Sequence, residues 1–483
     1  MTKKSHLLHG FLLISFFLNG ICSAQSIKAD EGSYGIDAER KLIIWQANDL
    51  DSIVSNNREI NTIVFEKEYK ISSNVETLSN HSEKQLKYGD ENYALFITQW
   101  PIVHIVVDTN TINDKNKIPG YFTYYNDGEY MKNTMGIRHR GNLSLTFPKK
   151  SYDIEFRVDS VSKESKDLQF KGLRSDDDWI LDGLYNEPLR LRSTLAIRLW
   201  NNIHKPHYLD KEPKAKSGFD SKFVEVFKNQ KYIGLYALSE SVDRKQLALK
   251  KHVGDTVLGE LFKAESYQGA TNFTKAPDFN NLFPHWAGFY MEYPLIDYRA
   301  HWNDLSKFVT LAVSAPDEEF VQKIEKNLRI NNAIDYYLFV NLVRATDNLG
   351  KNYYLGRFDA DEPYFFIPWD VDGVFGTIQD GKRIPTTNDI LSNQLFDRLL
   401  KTNPNGYKEK VKSRWKMLRE NEWSDATLYD MVDRYYHAFL DQGLYEREAM
   451  VWPDNTTLED HYNYLKKWIN ERTLFLDAHF KEL

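Results

Sequence analysis

The polar/apolar pattern of this chain changes from a strand period to a helix period along its length, and this change constrains the fold more than any other feature. Residues 25 to about 95 alternate in short pieces between Asp-, Asn- and Ser-rich turns, which is typical of strands. Strand patterns continue to about residue 240, with turn residues at Asn126-Asp127-Gly128 and a hairpin over 223–236. After about residue 301 the apolar residues recur at helical spacing. The sequence therefore predicts an α+β protein, β-rich first and helix-rich later.

Capping residues mark where helices begin. Asn186-Glu187-Pro188 precedes apolar residues at near-helical spacing, so a helix is predicted there, with the proline in its first turn. Ser424 and Thr457 precede two apolar stripes near the C-terminus and are predicted to open helices.

The first 24 residues have the pattern of a secretory signal peptide. Lys3 and Lys4 precede an apolar run over 7–18, and small residues follow at 22–24. This run is too short to cross roughly 30 Å of hydrocarbon, which disfavours a membrane helix. Ile21 disfavours lipid attachment at Cys22. We therefore expect cleavage after residue 24, a mature protein that is secreted or at the cell envelope, and no membrane span.

Composition narrows the chemistry further. Cys22 is the only cysteine of the 483 residues, so the mature chain has no disulfide, no cysteine nucleophile and no cysteine-based zinc site. Hydrophobic residues make up 42% and aromatic residues 14% of the chain, which indicates a packed globular body. A net charge of -7 gives no reason to expect nucleic acid as a partner.

One acidic pattern resembles phosphoryl-transfer chemistry. Asp347 is followed five residues later by Asn352, then by two predicted strands and by Asp370. Protein kinases place the catalytic loop, a hairpin and the magnesium loop in this order. Asp347 suits the carboxylate near the acceptor hydroxyl, and Asn352 and Asp370 suit the hard oxygen ligands of magnesium.

The Asp-x4-Asn spacing alone also fits a capping aspartate and a turn asparagine. Asp370 and Asp372 strengthen the functional interpretation, because they follow the apolar strand 365–367 and bring two like charges together. Such a pair costs stability unless a cation offsets it.

A basic segment over 138–152 is the second candidate. Arg138, Arg140, Lys149 and Lys150 flank a Gly/Asn turn, so backbone N–H groups and positive charge could face a polyphosphate. A solvated basic hairpin paired with surface acids is the alternative. Glu240, at the end of another predicted strand, could orient one of the lysines through an ion pair, or be a surface glutamate.

Five segments together resemble the blocks of the CotH (spore-coat protein H) kinase family, in order and spacing. They are RGNLSLTFPKKSYDIEF, LRSTLAIRL, KYIGLYALSESVDR, KNYYLGRF and FIPWDVDGVFG, and the resemblance runs from about Pro101 to Gly376. It implies an atypical, two-lobed protein-kinase-like fold that uses ATP with Mg²⁺ or Mn²⁺ and phosphorylates Ser or Thr of secreted or surface proteins.

The resemblance also implies roles for individual residues. Asp347 corresponds to the catalytic aspartate and Asp370 to the metal ligand, with Asn352 and Asp372 as further metal ligands. The phosphate-side candidates are Arg138, Arg140, Lys149 and Lys150.

The predicted organisation has four parts. They are a signal peptide over 1–24, a β-rich N-terminal module over 25–100, a catalytic domain over 101–390 and a helical C-terminal part over 391–483. A catalytically silent coat or adhesion protein with the same fold is the alternative function, and a small-molecule or glycan phosphotransferase is another.

Overall fold

The computed structural model describes residues 25–47, 60–72, 83–162, 164–278, 281–453 and 457–483. The predicted signal peptide lies outside the described residues. Within them the chain combines β-sheets with nine α-helices, which confirms the predicted α+β class. The described part of the chain contains no helix of the length and apolarity that a membrane span requires.

The described residues between 25 and 97 form a seven-stranded sheet with the order β1-β4-β5-β6-β7-β3-β2. The strands are β1 Gln25–Lys28, β2 Tyr34–Asp37, β3 Leu42–Trp45, β4 Ile60–Val64, β5 Glu68–Ile71, β6 Lys84–Tyr88 and β7 Glu91–Ile97. The sheet has an apolar core of its own that includes Ile43, Ile63 and Leu95.

The next strands close into a seven-stranded barrel with the order β10-β11-β14-β16-β15-β8-β9. These are β8 Ile102–Val107, β9 Ile118–Asn126, β10 Glu129–Arg140, β11 Ser151–Arg157, β14 Asp178–Asp182, β15 Ser221–Lys228 and β16 Lys231–Glu240, with the short pair β12 Leu168–Gln169 and β13 Ser175–Asp176 between β11 and β14.

Local sequence explains the barrel's hairpins. In β11 the apolar residues Tyr152, Ile154 and Phe156 are buried and alternate with half-buried polar residues, which is the period of a strand with one face in a core. Asp127 and Gly128 join β9 to β10 with φ of 49° and 86°. Two positive φ values in a two-residue loop suit an Asp-Gly hairpin turn, which confirms the predicted turn.

The helices follow the barrel in sequence, except the first, which lies between β14 and β15. They are α1 Arg192–Ile203, α2 Asn303–Ser314, α3 Asp317–Asn327, α4 Ile330–Val343, α5 Gln394–Thr402, α6 Tyr407–Glu420, α7 Asp425–Asp441, α8 Leu444–Ala449 and α9 Leu458–Glu482. Ser424 caps α7 by accepting a hydrogen bond from the Thr427 N–H, as predicted.

The helix predicted after Asn186-Glu187-Pro188 begins later, at Arg192. The buried Glu187 carboxylate accepts hydrogen bonds from the backbone N–H groups of Leu191 and Arg192, and it pairs with the Arg192 guanidinium at 2.8 Å. Pro188 therefore lies before the first turn, and the side chain of Glu187 satisfies N–H groups that the helix leaves unpaired.

We call the part of the chain from Asn303 to Glu482, which carries α2 to α9, the helical half. Helix α4 lies at its centre and is buried on all sides. It ends at Arg344, which has a left-handed φ of 55°. Beside it lies a five-stranded sheet with the order β18-β19-β17-β20-β21. Its strands are β17 Glu260–Ala264, β18 His285–Trp286, β19 Phe289–Tyr293, β20 Tyr353–Arg357 and β21 Phe365–Pro368. The loops after α4 and after β21 are those that carry Asp347 and Asp370.

Candidate functional site

Three loops meet between the barrel and the helical half. The basic hairpin, residues 138–151, joins β10 to β11; the Asp347 loop, residues 346–352, follows α4; the acidic loop, residues 369–373, follows β21. They enclose a cavity of about 340 Å³. Its lining includes six of the residues that the sequence singled out, namely Arg140, Lys149, Asp347, Asn352, Asp370 and Asp372.

The Asp347 loop begins with a 3-10 turn over Thr346–Leu349. The Asp347 carboxylate is half-buried and forms an ion pair with Lys351 at 2.8 Å. The backbone of Asn352 is fixed by its N–H, which donates to the Ala264 carbonyl at 2.8 Å in β17. The turn therefore holds a carboxylate and an amide side chain at the cavity wall.

The acidic loop turns sharply after β21. Asp370 and Asn352 have left-handed φ values of 51° and 58°. Asn and Asp adopt this region more readily than other non-glycine residues, so the residue types that suit a metal ligand also suit these backbones.

The acidic side chains of the cavity repel one another. The pKa of Asp370 is raised by burial among protein atoms and by Asp182, while Arg140 acts against this rise. The pKa of Asp372 is raised well above its usual range by burial and then by Asp370, Asp182 and Asp347. Among the described residues, no Lys, Arg or His nitrogen lies within 4.0 Å of the Asp370 or Asp372 carboxylate. The carboxylates of Asp370 and Asp372 therefore lack a direct ion-pair partner among the described residues.

We call Asp182, Asp347, Asp370 and Asp372 the cavity carboxylates. Carboxylate and amide oxygens are the ligands that Mg²⁺ prefers, and a divalent cation would offset the repulsion. The donor set of Asp370, Asp372 and Asn352 therefore fits such a cation in chemistry and in charge.

Arg140 is the cation that borders both loops. Its guanidinium lies 5.8 Å from the centre of the ring of Trp369, the residue that directly precedes Asp370 in the sequence. The next residue, Gly141, has a φ of 107°, and a Cβ there would fall 1.7 Å from the Ser144 hydroxyl oxygen, so the turn requires glycine. The Ser144 hydroxyl donates to the Arg140 carbonyl at 3.2 Å, which closes the turn.

Lys149 is buried at the cavity wall, and its partner comes from the C-terminal part of the chain. Its Nζ donates to Glu448 in α8 at 2.5 Å and to the Leu235 carbonyl at 2.6 Å. Burial lowers the pKa of Lys149 to about 8, while Glu448 opposes this shift. A side chain on Gly234 would collide with the Glu448 carboxylate at 2.3 Å, so this glycine leaves space for the pair.

The predicted ion pair between Glu240 and a lysine of the hairpin is wrong. Glu240 is buried in the barrel wall, where it contacts Lys216 at 2.5 Å. Strand β16 carries both Glu240 and the Leu235 carbonyl, but the lysine of the hairpin reaches only the latter. The long-range contact between α8 and the barrel decides the pairing.

The other two hairpin cations have partners within the described barrel. Arg138 faces a neighbouring cavity of about 780 Å³ and contacts Asp153 on the adjacent strand at 2.7 Å. Lys150 donates to the Leu145 carbonyl at 2.6 Å, within the hairpin's own loop.

Sequence reasoning missed four contributors to the site. Asp182 ends β14 and lines the cavity, and an aspartate followed by glycine at a strand end was a signal that could have found it. Lys351 was visible as the residue four positions after Asp347. The Asn186 side chain donates to the Asp372 carboxylate at 3.4 Å. The sequence around Glu448 gives no indication that its side chain reaches the site.

The comparison with known families covers the three loops of the cavity. A family model described as CotH kinase protein matches residues 137–476, from the basic hairpin to α9. The chain belongs to the CotH kinase family. The match extends beyond Gly376, where the sequence resemblance ended, and it includes Glu448 of this CotH kinase chain. No curated protein sequence matches the chain.

Proposed function

We propose that this CotH kinase family chain is an exported enzyme that transfers the γ-phosphate of ATP to Ser or Thr hydroxyls of secreted or surface proteins. The observation that carries this proposal is the meeting of the basic hairpin, the Asp347 loop and the acidic loop in one cavity. In this proposal the barrel and the helical half act as the two lobes of a kinase-like fold, with the nucleotide between them.

Asp347 is proposed as the group that accepts the proton of the acceptor hydroxyl. The acceptor oxygen then forms a bond to the γ-phosphorus, the bond from that phosphorus to the bridging β–γ oxygen breaks, and ADP leaves with the electron pair. Lys351, in contact with Asp347, supplies positive charge beside the transferred group.

Arg140 and Lys149 are proposed to contact the phosphates from the barrel side. Arg140 borders the acidic loop, and Lys149 lines the cavity while Glu448 fixes its position. Arg138 and Lys150 are proposed to add positive charge at the edges, because their present partners are a neighbouring carboxylate and a loop carbonyl. Glu448 takes the orienting role that the sequence assigned to Glu240.

Asp370, with Asn352 and Asp372, is proposed to hold Mg²⁺ or Mn²⁺. When bound, such an ion supplies charge stabilisation to the β- and γ-phosphates. The residues contribute hard oxygen atoms at a point where like charges already repel.

Export is proposed from the N-terminal pattern, with cleavage after Ala24. An exported enzyme is separated from cytosolic ATP, so its function requires ATP outside the cytoplasm. Intact-mass measurement of protein from its native host tests cleavage, and soluble protein that retains residues 1–24 would contradict it.

The direct test is incubation of the purified mature protein with γ-labelled ATP, Mg²⁺ or Mn²⁺ and a generic Ser/Thr-containing acceptor protein. We expect label on the acceptor with wild type and none with Asp347→Asn. Asp177→Asn is the matched control, because Asp177 is also a half-enclosed loop carboxylate but lies outside the cavity lining. Absence of transfer in folded wild type, together with no stabilisation by Mg²⁺ and ATP, would instead support a silent coat or adhesion protein.

A further inference from the structure

Asn348 follows Asp347 and has no role in the chemistry proposed above. Its side chain is buried, and its amide nitrogen donates two hydrogen bonds to backbone carbonyls. One goes to Asn352 at 2.6 Å and the other to Trp369 at 2.8 Å. The Trp369 N–H donates in turn to the Asn352 carbonyl at 3.0 Å. Three hydrogen bonds thus form a closed ring between the Asp347 loop and the acidic loop.

This ring lies between Asn352 and Asp370, the two residues whose side-chain oxygens are candidate metal ligands. Asn352 is itself a candidate ligand, and Trp369 directly precedes Asp370. Asn352 and Asp370 both have left-handed backbone conformations, which need support from the surrounding structure. Asn348 is held from the other side by Tyr336 of α4, whose hydroxyl donates to the Asn348 carbonyl at 2.6 Å.

We propose that Asn348 is a positioning residue that sets the separation of Asn352 and Asp370 and thereby the divalent-cation affinity of the site. The inference rests on the proposed function in taking these two residues as ligands. A carboxamide is required because its two N–H groups serve two carbonyl oxygens at once. An aspartate at this position would instead place oxygen against oxygen.

A matched control exists in the same helical half. Asn341 in α4 is also fully buried, and its amide nitrogen also donates to two carbonyls, of Tyr337 and Leu391, both at 2.9 Å. Asn341→Asp and Asn348→Asp therefore remove the same pair of donated hydrogen bonds, although the side-chain oxygen at 341 also accepts from the Leu391 N–H at 2.8 Å. A purely structural role of Asn348 predicts the same consequences for both.

The experiment titrates Mn²⁺ into wild type, Asn348→Asp and Asn341→Asp by calorimetry, in the presence of a non-hydrolysable ATP analogue. We expect Mn²⁺ affinity at least about tenfold weaker in Asn348→Asp, as for other residues that orient metal ligands, and within about twofold of wild type in Asn341→Asp. Equal affinities in the two folded variants would overturn the inference.

Hydrogen exchange of the metal-free proteins gives a second readout that does not depend on nucleotide. Faster exchange at residues 352 and 369–372 in Asn348→Asp, with no such change in Asn341→Asp, supports the positioning role. Unchanged exchange there overturns it. Asn348→Ala replaces Asn348→Asp if the latter does not fold, because it removes the donors without adding repulsion.

The two proposals fail separately. Folded wild type that binds no Mn²⁺ with the analogue would contradict the proposed function. The exchange comparison would then decide the positioning role by itself.

Discussion

Two groups of aspartates in this protein differ in how their charge is balanced. Asp167, Asp176 and Asp177, the paired cluster, bring their carboxylate oxygens within 4.8 Å of one another, as a metal site would. Yet Arg174 contacts Asp176, and Lys245 contacts Asp176 at 3.2 Å and Asp177 at 3.0 Å. No three of the cavity carboxylates, which belong to the described residues, come that close together, and Asp370 and Asp372 have no such contact with a Lys, Arg or His nitrogen there.

The contrast shows that close spacing of acids is a weaker sign of a metal site than unbalanced charge. In the paired cluster, cations of the protein already occupy the positions that a metal would take. In the cavity, burial and then repulsion from Asp370, Asp182 and Asp347 raise the pKa of Asp372, and a bound cation would relieve the repulsion. The predictions below test this difference.

The largest expected effect is on catalysis. Asp370→Asn should reduce phosphoryl transfer at least about 100-fold, because an amide cannot supply the charge that holds the metal against the phosphates. The metal-free variant should be as stable as wild type or more stable, since one repelling charge is gone. Transfer of label from γ-labelled ATP measures the first effect, and thermal melts with and without Mg²⁺ and ATP measure the second. A flat wild-type response with a destabilised variant would contradict the kinase assignment.

The second prediction concerns the buried pair beside the cavity. Lys149→Ala should lower the free energy of unfolding by about 2 kcal/mol, because it removes the closest cation of the buried Glu448 carboxylate, while Arg190 stays beside it at 3.2 Å. Adding Glu448→Gln should recover part of this loss. Lys150→Ala is the control and should change stability by less than about 0.5 kcal/mol. Urea unfolding of wild type, Lys149→Ala, Glu448→Gln, the double variant and Lys150→Ala measures this, and additive losses would show that the two side chains do not act as a pair.

Glu260 is a third case, a carboxylate that is buried in contact with a single guanidinium, that of Arg357, and whose pKa burial still raises. Burial raises the pKa of Glu260 to about 7, although Arg357 opposes this at 3.1 Å. The folded state therefore holds the proton up to pH 7, while the unfolded state releases it near its ordinary value of 4.5. The resulting stability is fully present below pH 4.5 and is lost as the pH rises through 7.

Glu260→Gln should remove this contribution, which is at most about 1.4 kcal/mol per pH unit. Denaturant unfolding of wild type and variant between pH 4.5 and 8 measures the difference in slope. Parallel curves would show that Glu260 stays ionised in the folded state.

The smallest effect is expected in the paired cluster. Lys245→Met should lower the free energy of unfolding by about 1 kcal/mol, because Lys245 is half exposed and its ion pairs are screened by solvent. Phosphoryl transfer should not change. Radiolabel transfer and urea unfolding check both statements. A loss of activity comparable to that of Asp370→Asn would make the paired cluster, and not the cavity, the functional acidic site.

Much of the site could be predicted from local sequence. The spacing of Asp347, Asn352 and Asp370 placed a loop, a hairpin and an acidic loop in the right order, because strand period and turn residues are local properties. The turn of the basic hairpin was predictable for the same reason, since Gly141 permits a backbone that other residues disfavour. Asp182 could have been found by the same signal.

The sequence by itself determined the α+β class, the family and the residue types at the cavity wall. Only the tertiary structure decided which charges meet. Lys149 pairs with Glu448, 299 residues away, while Glu240, which is nearer in sequence, pairs with Lys216. The physical reason is range: turns and strand periods depend on neighbouring residues, whereas the partner of a buried charge depends on which elements pack together.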